Sequence, residues 1–420
     1  MRIAWLGSAR DGGGVPGMGG MLLGGLLDRG VQVDMFTTET EGELARSLRG
    51  HKNLNVIRID PRWSWGRWYS RKAFLAFMSS TIARTRAYNR LSDLLMERNA
   101  QSPYDCIFQL SQIELFKLGR HRKQLPPIVV YPCSHAAGEL RWHRRESIYA
   151  RQSENVLMHY LVRLFLIYRS CVQRRELRKP ALILGPSNRF VELLTQDYGI
   201  ERGRLAVLRH PVILNSEPLA GKPERNATIR LLFISRISVR KGFEQIVELS
   251  NRLDDLAGQV RIDVIGGWTQ WSDYRAHLKE LNSRVAKYLG EVPYAQMGEI
   301  YSSAHAILVP SMYEPGSLVV GEATHAGLAV VASEEVGPTE VLSKECCRTF
   351  PAGNVAEFER QTRALIQDVR ARPNELRAAA HAQAAQWFAA GKIADQLFGI
   401  LADVAAERRR SAALCASHSN

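Results

Sequence analysis

The chain has 420 residues, 45% of them apolar and 23% charged, a balance that excludes overall disorder or a collagen-like chain and fits two or three folded domains. The net charge of +14 is unevenly placed: residues 1–180 hold 29 basic and 15 acidic residues, whereas residues 181–420 hold 27 of each. The two halves therefore face different partners.

In chain order, short β-rich apolar runs are predicted at Arg2–Leu6, Val31–Phe36, Asn55–Ile59, Cys106–Leu110, Ile128–Tyr131 and Ala181–Leu184. A second series follows at Arg230–Ile234, Arg261–Ile265, Ala306–Val309 and Leu328–Ala332. Helical patterns separate the runs, which indicates βα units and two α/β domains with parallel sheets. Glu217–Pro223 reads as an exposed connection. Ala382–Ala406, with Trp387, Phe388, Ile393, Leu397, Ile400 and Leu401 at helical spacing, predicts an amphipathic terminal helix. Residues 408–420 read as a frayed tail.

Six scattered cysteines without C-x-x-C spacing predict neither a disulfide framework nor a metal site, and a reducing cytoplasm is the simple expectation. No run of about 20 apolar residues is present to span a bilayer; the best stretch, Val156–Tyr168, is broken by His159 and Arg163. Met1–Gly7 turns Gly-rich too early for a signal peptide.

Three loops carry candidate chemistry. The first, Asp11 to Gly20 with Gly12, Gly13, Gly14 and Gly17, follows a strand and opens a helix, where backbone N–H groups can approach an anion. Gly12-x-Gly14-x-x-Gly17 fits the dinucleotide fingerprint by letter. The first strand ends too early for it, however, and the second ends in Thr37-Thr38 before Glu39. The second loop, Pro310 to Leu318, leads into a helix over Val319–Gly327 and places Glu314 and Glu322 eight residues apart. N–H groups around Gly316, Ser317, Leu318 and Val319 lie between them, an arrangement suited to a phosphate ligand with hydroxyls on both sides. By spacing alone, the plainer reading is two solvated carboxylates favoured by the helix dipole. The third loop, Ser235 to Gly242, puts Arg236 and Lys241 at the carboxyl end of a strand, where open α/β sheets bind ligands. Two cations there could hold a pyrophosphate; singly, they read as solvent charges.

Together these features resemble the retaining glycosyltransferases of family 4, which have the GT-B fold of two Rossmann-like parallel-sheet domains facing across a cleft. Glu314-Pro-Gly-Ser-Leu-Val-Val-Gly-Glu322 is similar to that family's E-x7-E motif, and Ser235-Arg236 to Lys241-Gly242 to its phosphate-binding element. Tyr288-Leu-Gly-Glu-Val292-Pro293 resembles its nucleobase-side loop. Ser187-Asn-Arg-Phe and Gly337-Pro-Thr-Glu340-Val resemble further recurring segments. The resemblance implies an acceptor-side domain over 1–188, a donor-binding domain over 189–385, and a helix over 386–407 returning to the first domain. It implies that Arg236 and Lys241 grip the donor pyrophosphate, Glu314 the sugar hydroxyls and Glu322 the ribose. Gly12, Gly13, Gly14 and Gly17 would approach from the opposite domain, with Val292 near the base. His135 would touch the donor sugar as an active-site histidine; a capping or core histidine is its alternative. The substrate would be a nucleotide sugar, with no cofactor and no metal, since there is no Asp-x-Asp and cations with a helix dipole can do that work.

Two departures stand out. Gly316-Ser317 replaces the family's Phe-Gly, and His210-Pro211 replaces its Asn-Gly after the strand at Leu205. The implied activity is sugar transfer to an acceptor hydroxyl in bacterial cell-surface glycan or glycolipid synthesis. Glycosylation of a small natural product and a nonenzymatic nucleotide-sugar binder are the alternatives.

The excess charge has an address. Residues 62–90 hold seven basic and no acidic residues among Trp63, Trp65, Trp68 and Tyr69, and residues 141–179 hold ten basic and three acidic. Aromatic and basic residues on helices suit an anionic membrane surface, with a lipid-linked acceptor glycan, and equally a solvated basic face. No nucleic-acid module accompanies the charge, so no nucleic-acid partner is expected.

Overall fold

The computed structural model describes all residues except 65, 69–72, 146, 149–150, 152–155, 213–227, 268–273 and 418–420. The expected connection at 217–223 lies outside the described residues, as do Trp65, Tyr69, Arg71 and Lys72 of the basic segment.

Thirteen strands are described: β1 (Arg2–Leu6), β2 (Gln32–Thr37), β3 (Leu54–Arg58), β4 (Cys106–Ser111), β5 (Ile128–Pro132), β6 (Leu182–Gly185), β7 (Leu205–Val207), β8 (Ile229–Ile234), β9 (Val260–Ile265), β10 (Ala286–Gly290), β11 (Ala306–Val309), β12 (Ala329–Ser333) and β13 (Cys347–Phe350). They form two all-parallel sheets in the orders β3-β2-β1-β4-β5-β6-β7 and β10-β9-β8-β11-β12-β13. Both are doubly wound, and the fold is the expected pair of Rossmann-like domains.

Strand composition follows from burial on both faces. In the first sheet Ile3, Trp5, Met35 and Phe108 pack on one side, and Ala4, Leu6, Phe36 and Ile107 on the other. In the second, Leu231, Phe233, Val264 and Leu308 oppose Leu232, Ile307 and Val330. The helix Asn188–Tyr198 shows the local logic. Ser187 caps its start by accepting from the Phe190 N–H, and Gly199 ends it in the left-handed conformation.

Three boundaries move. β7 hydrogen-bonds to β6, so the first sheet carries its domain past residue 188 to at least Val207. The terminal helix runs Ala390–Ser417 rather than stopping at 407. Arg408 donates to the Tyr104 carbonyl and Arg409 pairs with Asp105 at 2.7 Å, which holds the expected tail against the first domain. The first Gly-rich helix starts at Gly14, inside the segment Asp11 to Gly20 expected as its preceding loop. As expected, the terminal helix returns to the first domain, where Ile393, Leu397 and Leu401 join the core around Leu22 and Leu26. No helix among the described residues is long and apolar enough to cross a membrane.

Candidate active site

In a doubly wound sheet, the loops after the central strands diverge and leave a crevice at their carboxyl ends. β8 and β11 flank that point in the second sheet, so the loops Ser235–Gly242 and Pro310–Ser317 meet there. Met312 N–H donates to the Arg240 carbonyl at 2.8 Å, stitching the two together.

Lys241 and Glu314 form a largely buried salt bridge, their side chains 17% and 11% exposed. Burial alone would raise the Glu314 carboxyl, but Lys241 and Arg240 hold it below the usual carboxylate range. Burial also lowers the Lys241 ammonium, against the pull of Glu314. Arg236 is exposed and has no ion-pair partner among the described residues. Arg240, adjacent to Lys241 but not singled out in the sequence, reaches Glu139 of the first domain at 3.5 Å.

Glu322 lies inside the helix Leu318–His325, whose N-cap Ser317 makes no side-chain cap for its first-turn N–H groups. The Tyr301 hydroxyl donates to Glu322 at 2.7 Å and Tyr294 at 3.3 Å. Burial nevertheless raises the Glu322 carboxyl. Tyr294 also faces the first domain, where a Cβ on Gly13 would sit 2.9 Å from its ring. The Gly-rich loop therefore lies across the crevice from Glu322. Gly17 must be glycine for close approach, since a Cβ there would fall 1.6 Å from the Gly12 carbonyl oxygen. Glu39 braces this loop by accepting from the Ala9 N–H at 2.9 Å and pairing with Arg10. It is thus occupied rather than free to read a dinucleotide ribose. Val292 packs beside Tyr294 on the core under β11.

His135 takes the core position named as the alternative to a substrate-touching one. It does not face the open crevice: its side chain has no exposed area, and both ring nitrogens are engaged. Nδ1 meets the Tyr313 hydroxyl at 2.6 Å, and Nε2 meets Asp197 at 2.6 Å, a carboxylate shared with Arg141. Tyr313 belongs to the Glu314 loop, so His135 ties the two domains together. The Tyr313 ring passes over Gly138, where a Cβ would fall 2.5 Å from it. Nothing in the spacing of Tyr313, His135 and Asp197 signals this link.

His210 sits buried against Gly316, and burial lowers its pKa to about 4. The departure from Asn-Gly thus places a neutral imidazole beside the Glu314 loop. An unfolded histidine takes its proton near pH 6.5, so this burial costs stability as pH falls from about 6.5 to about 4. His210→Asn is expected to flatten that acid limb by on the order of 3 kcal/mol, read by urea unfolding at pH 7 and pH 4.5. An unchanged acid limb would show that His210 titrates normally.

Residues 219–387 match the model of the family described as Glycosyl transferases group 1. That stretch is similar to a glycosyl transferases group 1 domain. It contains Arg236, Lys241, Glu314 and Glu322. The glycogen synthase of Mycobacterium tuberculosis is 25% identical over 189 residues, which cover 44% of this chain and 45% of that protein. The match thus spans about half the length of that curated relative. Among solved structures, sucrose-phosphate synthase from Thermosynechococcus elongatus superimposes with a TM-score of 0.72 at 18% identity, over 97% of this chain and 99% of that one. HepE of Anabaena in complex with UDP-glucose gives 0.64 at 16% identity, over 96% and 100%. These likenesses establish the GT-B fold across both domains, including the half outside the matched family domain.

Proposed function

We propose that the protein is a retaining glycosyltransferase of family 4 that moves a sugar from a nucleotide-sugar donor to an acceptor hydroxyl in bacterial surface glycan or glycolipid synthesis. The observation that carries this reading is the convergence of Arg236, the Lys241–Glu314 pair, Glu322 and an uncapped helix start at one switch point, opposite a Gly-rich loop. The solved HepE complex holds UDP-glucose in the same fold, which supports a nucleotide sugar as the donor class.

In this mechanism the helix start and Gly-rich loop receive the donor diphosphate, Glu322 takes ribose hydroxyls and Glu314 those of the sugar. Closure of the crevice excludes water. The acceptor hydroxyl attacks the anomeric carbon from the face the phosphate leaves. The glycosidic C–O bond to the nucleoside diphosphate breaks as the new one forms, and the departing phosphate oxygen takes the acceptor proton. Arg236 and Lys241 offset the charge developing on that oxygen. His135 acts through Tyr313 in holding the domains together. The product is expected to keep the donor's anomeric configuration by NMR; an inverted product would refute this mechanism.

The basic half supports a peripheral position on an anionic membrane. Leu75, Met78 and Ile82 on the helix Ala73–Gln101 are exposed, as are Leu157, Tyr160, Leu164 and Tyr168 on the helix Val156–Glu176. Both sets recur at helical spacing beside arginines, the pattern of an interfacial face. The protein is expected to co-sediment with phosphatidylglycerol vesicles and to be released by about 0.5 M salt. Leu164→Asp should weaken sedimentation without changing turnover on a soluble acceptor. Equal sedimentation with neutral vesicles would refute the anionic-surface reading.

A further inference from the structure

Tyr313, the residue before Glu314, is held at three places by one segment of the opposite domain. Its hydroxyl accepts from the His135 N–H at 3.2 Å and meets Nδ1 of that ring at 2.6 Å. Its ring closes over Gly138. Its carbonyl oxygen lies 3.5 Å from the Arg240 guanidinium, which in turn lies 3.5 Å from the Glu139 carboxylate. His135, Gly138 and Glu139 stand at the start of the helix Ala136–Arg145. Arg240 is further tied to the same loop through its own carbonyl, which accepts from the Met312 N–H.

The helix is itself seated on both sides. Gly138, Glu139, Trp142 and Arg145 share one face, at i, i+1, i+4 and i+7. Trp142 packs on the core of the second domain, and Arg145 donates to the Ala352 carbonyl at 2.5 Å. On the other side, Ala136 N–H donates to Gln173 at 2.8 Å, and the buried ring of His143 stacks on His159 with centroids 4.5 Å apart. Gln173 and His159 both belong to the helix Val156–Glu176 of the first domain. The Glu139 carboxylate is oriented as well: Oε2 accepts from the Trp142 indole at 2.9 Å, which turns Oε1 to Arg240. Burial disfavours the charge on Arg240, but Glu139, and after it Glu314, more than restores it. Parting the domains would leave both members of this pair, about one-fifth exposed, without each other.

We propose that Glu139 and Arg240 are a positioning pair: Glu139 of the first domain fixes Arg240, Arg240 fixes the Tyr313 carbonyl, and Glu314, the next residue, is thereby set for the donor. Neither side chain is a donor contact; both act through Tyr313. In an open crevice the loop loses the holds of His135, Gly138 and Glu139 together, so the carboxylate is in place only when the first domain has docked. The effect on turnover rests on the sugar transfer proposed above; the restraint on the loop does not.

Amide hydrogen exchange on the full chain reads the loop without any ligand. Residues 312–316 should exchange ~10-fold faster in Glu139→Gln and in Arg240→Met, and no faster in the double variant, because the pair can be lost only once. Glutamine keeps the volume of Glu139 and an oxygen for Trp142, so the change isolates the charge. Arg240→Lys, which keeps the cation, should retain most of the protection. Strand β2, remote from the contact, should exchange as in wild type. With UDP-glucose as the donor probe, kcat should fall ~10-fold in Glu139→Gln while KM moves less than ~2-fold. Both single variants should bind UDP as wild type does in calorimetry. The proposal is overturned if Glu139→Gln leaves loop exchange unchanged, or if only Arg240→Met speeds it. It is also overturned if the faster exchange spreads evenly over both domains, as a loss of global stability would, or if Arg240→Met abolishes UDP binding that wild type shows. A wild type that neither binds UDP nor turns over UDP-glucose counts against the donor reading and leaves the exchange result to decide the positioning pair.

Discussion

Arg236→Ala and Lys241→Ala are each expected to lower kcat on the order of 10²-fold or more, as loss of a group that stabilises transition-state charge does. The two variants should differ in stability. Arg236 is exposed and unpaired among the described residues, so its removal should leave unfolding unchanged. Lys241 is buried against Glu314, and its loss strands a buried carboxylate, at a cost of about 3–5 kcal/mol. The pair also makes a less obvious prediction. Glu314 neutralises the cation that the diphosphate needs, so Glu314→Gln should tighten nucleoside diphosphate binding by calorimetry while turnover falls. Weaker binding in Glu314→Gln would show that the carboxylate does not compete with the donor phosphate. Wild-type turnover in both alanine variants would remove the crevice as the reaction site.

Tyr313→Ala is expected to have the second-largest effect. The side chain is buried, closes over Gly138 and holds both the ring and the backbone N–H of His135. Truncating a buried aromatic costs about 3–5 kcal/mol, and here the loss falls on the contact between domains. Tyr313→Phe keeps the packing but strips the hydroxyl, leaving His135 Nδ1 and its backbone N–H unpartnered, at about 1–3 kcal/mol. Gly138→Ala tests the fit from the other side. Alanine gains about 1 kcal/mol of helix propensity, but its Cβ would enter the Tyr313 ring, and overpacking of about 1–3 kcal/mol should win. All three variants should expand the molecule in small-angle scattering and lower turnover. An unchanged scattering profile in Tyr313→Ala would show that this contact does not hold the domains together.

Much of the fold was legible because parallel strands are buried on both faces and so read as continuous apolar runs. The ten runs expected from the sequence correspond to described strands. β10 and β13 were not foreseen: Ala286-Lys-Tyr-Leu-Gly290 and Cys347-Arg-Thr-Phe350 are edge strands, paired on one side only, and carry polar residues. The Gly-rich helix also began earlier than its apolar pattern, because small residues pack closely without contributing a hydrophobic signal.

The site divides along the same line. The sequence by itself determined which charged residues stand at the carboxyl ends of which strands, because a βα unit puts its loop there whatever the rest of the chain does. Arg236, Lys241 and Glu314 follow from that local rule, and the placing of the net charge in residues 1–180 is read directly from the sequence. Only the tertiary structure decided which partners these groups have. Ser187-Asn-Arg-Phe and Gly337 to Val341 looked like separate segments, yet Glu340 accepts from the backbone N–H groups of Asn188 and Arg189 at 2.8 and 3.2 Å. His135 read equally as a group for substrate or a core histidine, and it is held between Tyr313 and Asp197, 178 and 62 residues away in the chain. Hydrogen bonds and ion pairs act over about 3 Å in space regardless of separation in sequence, so periodicity and spacing carry no trace of them.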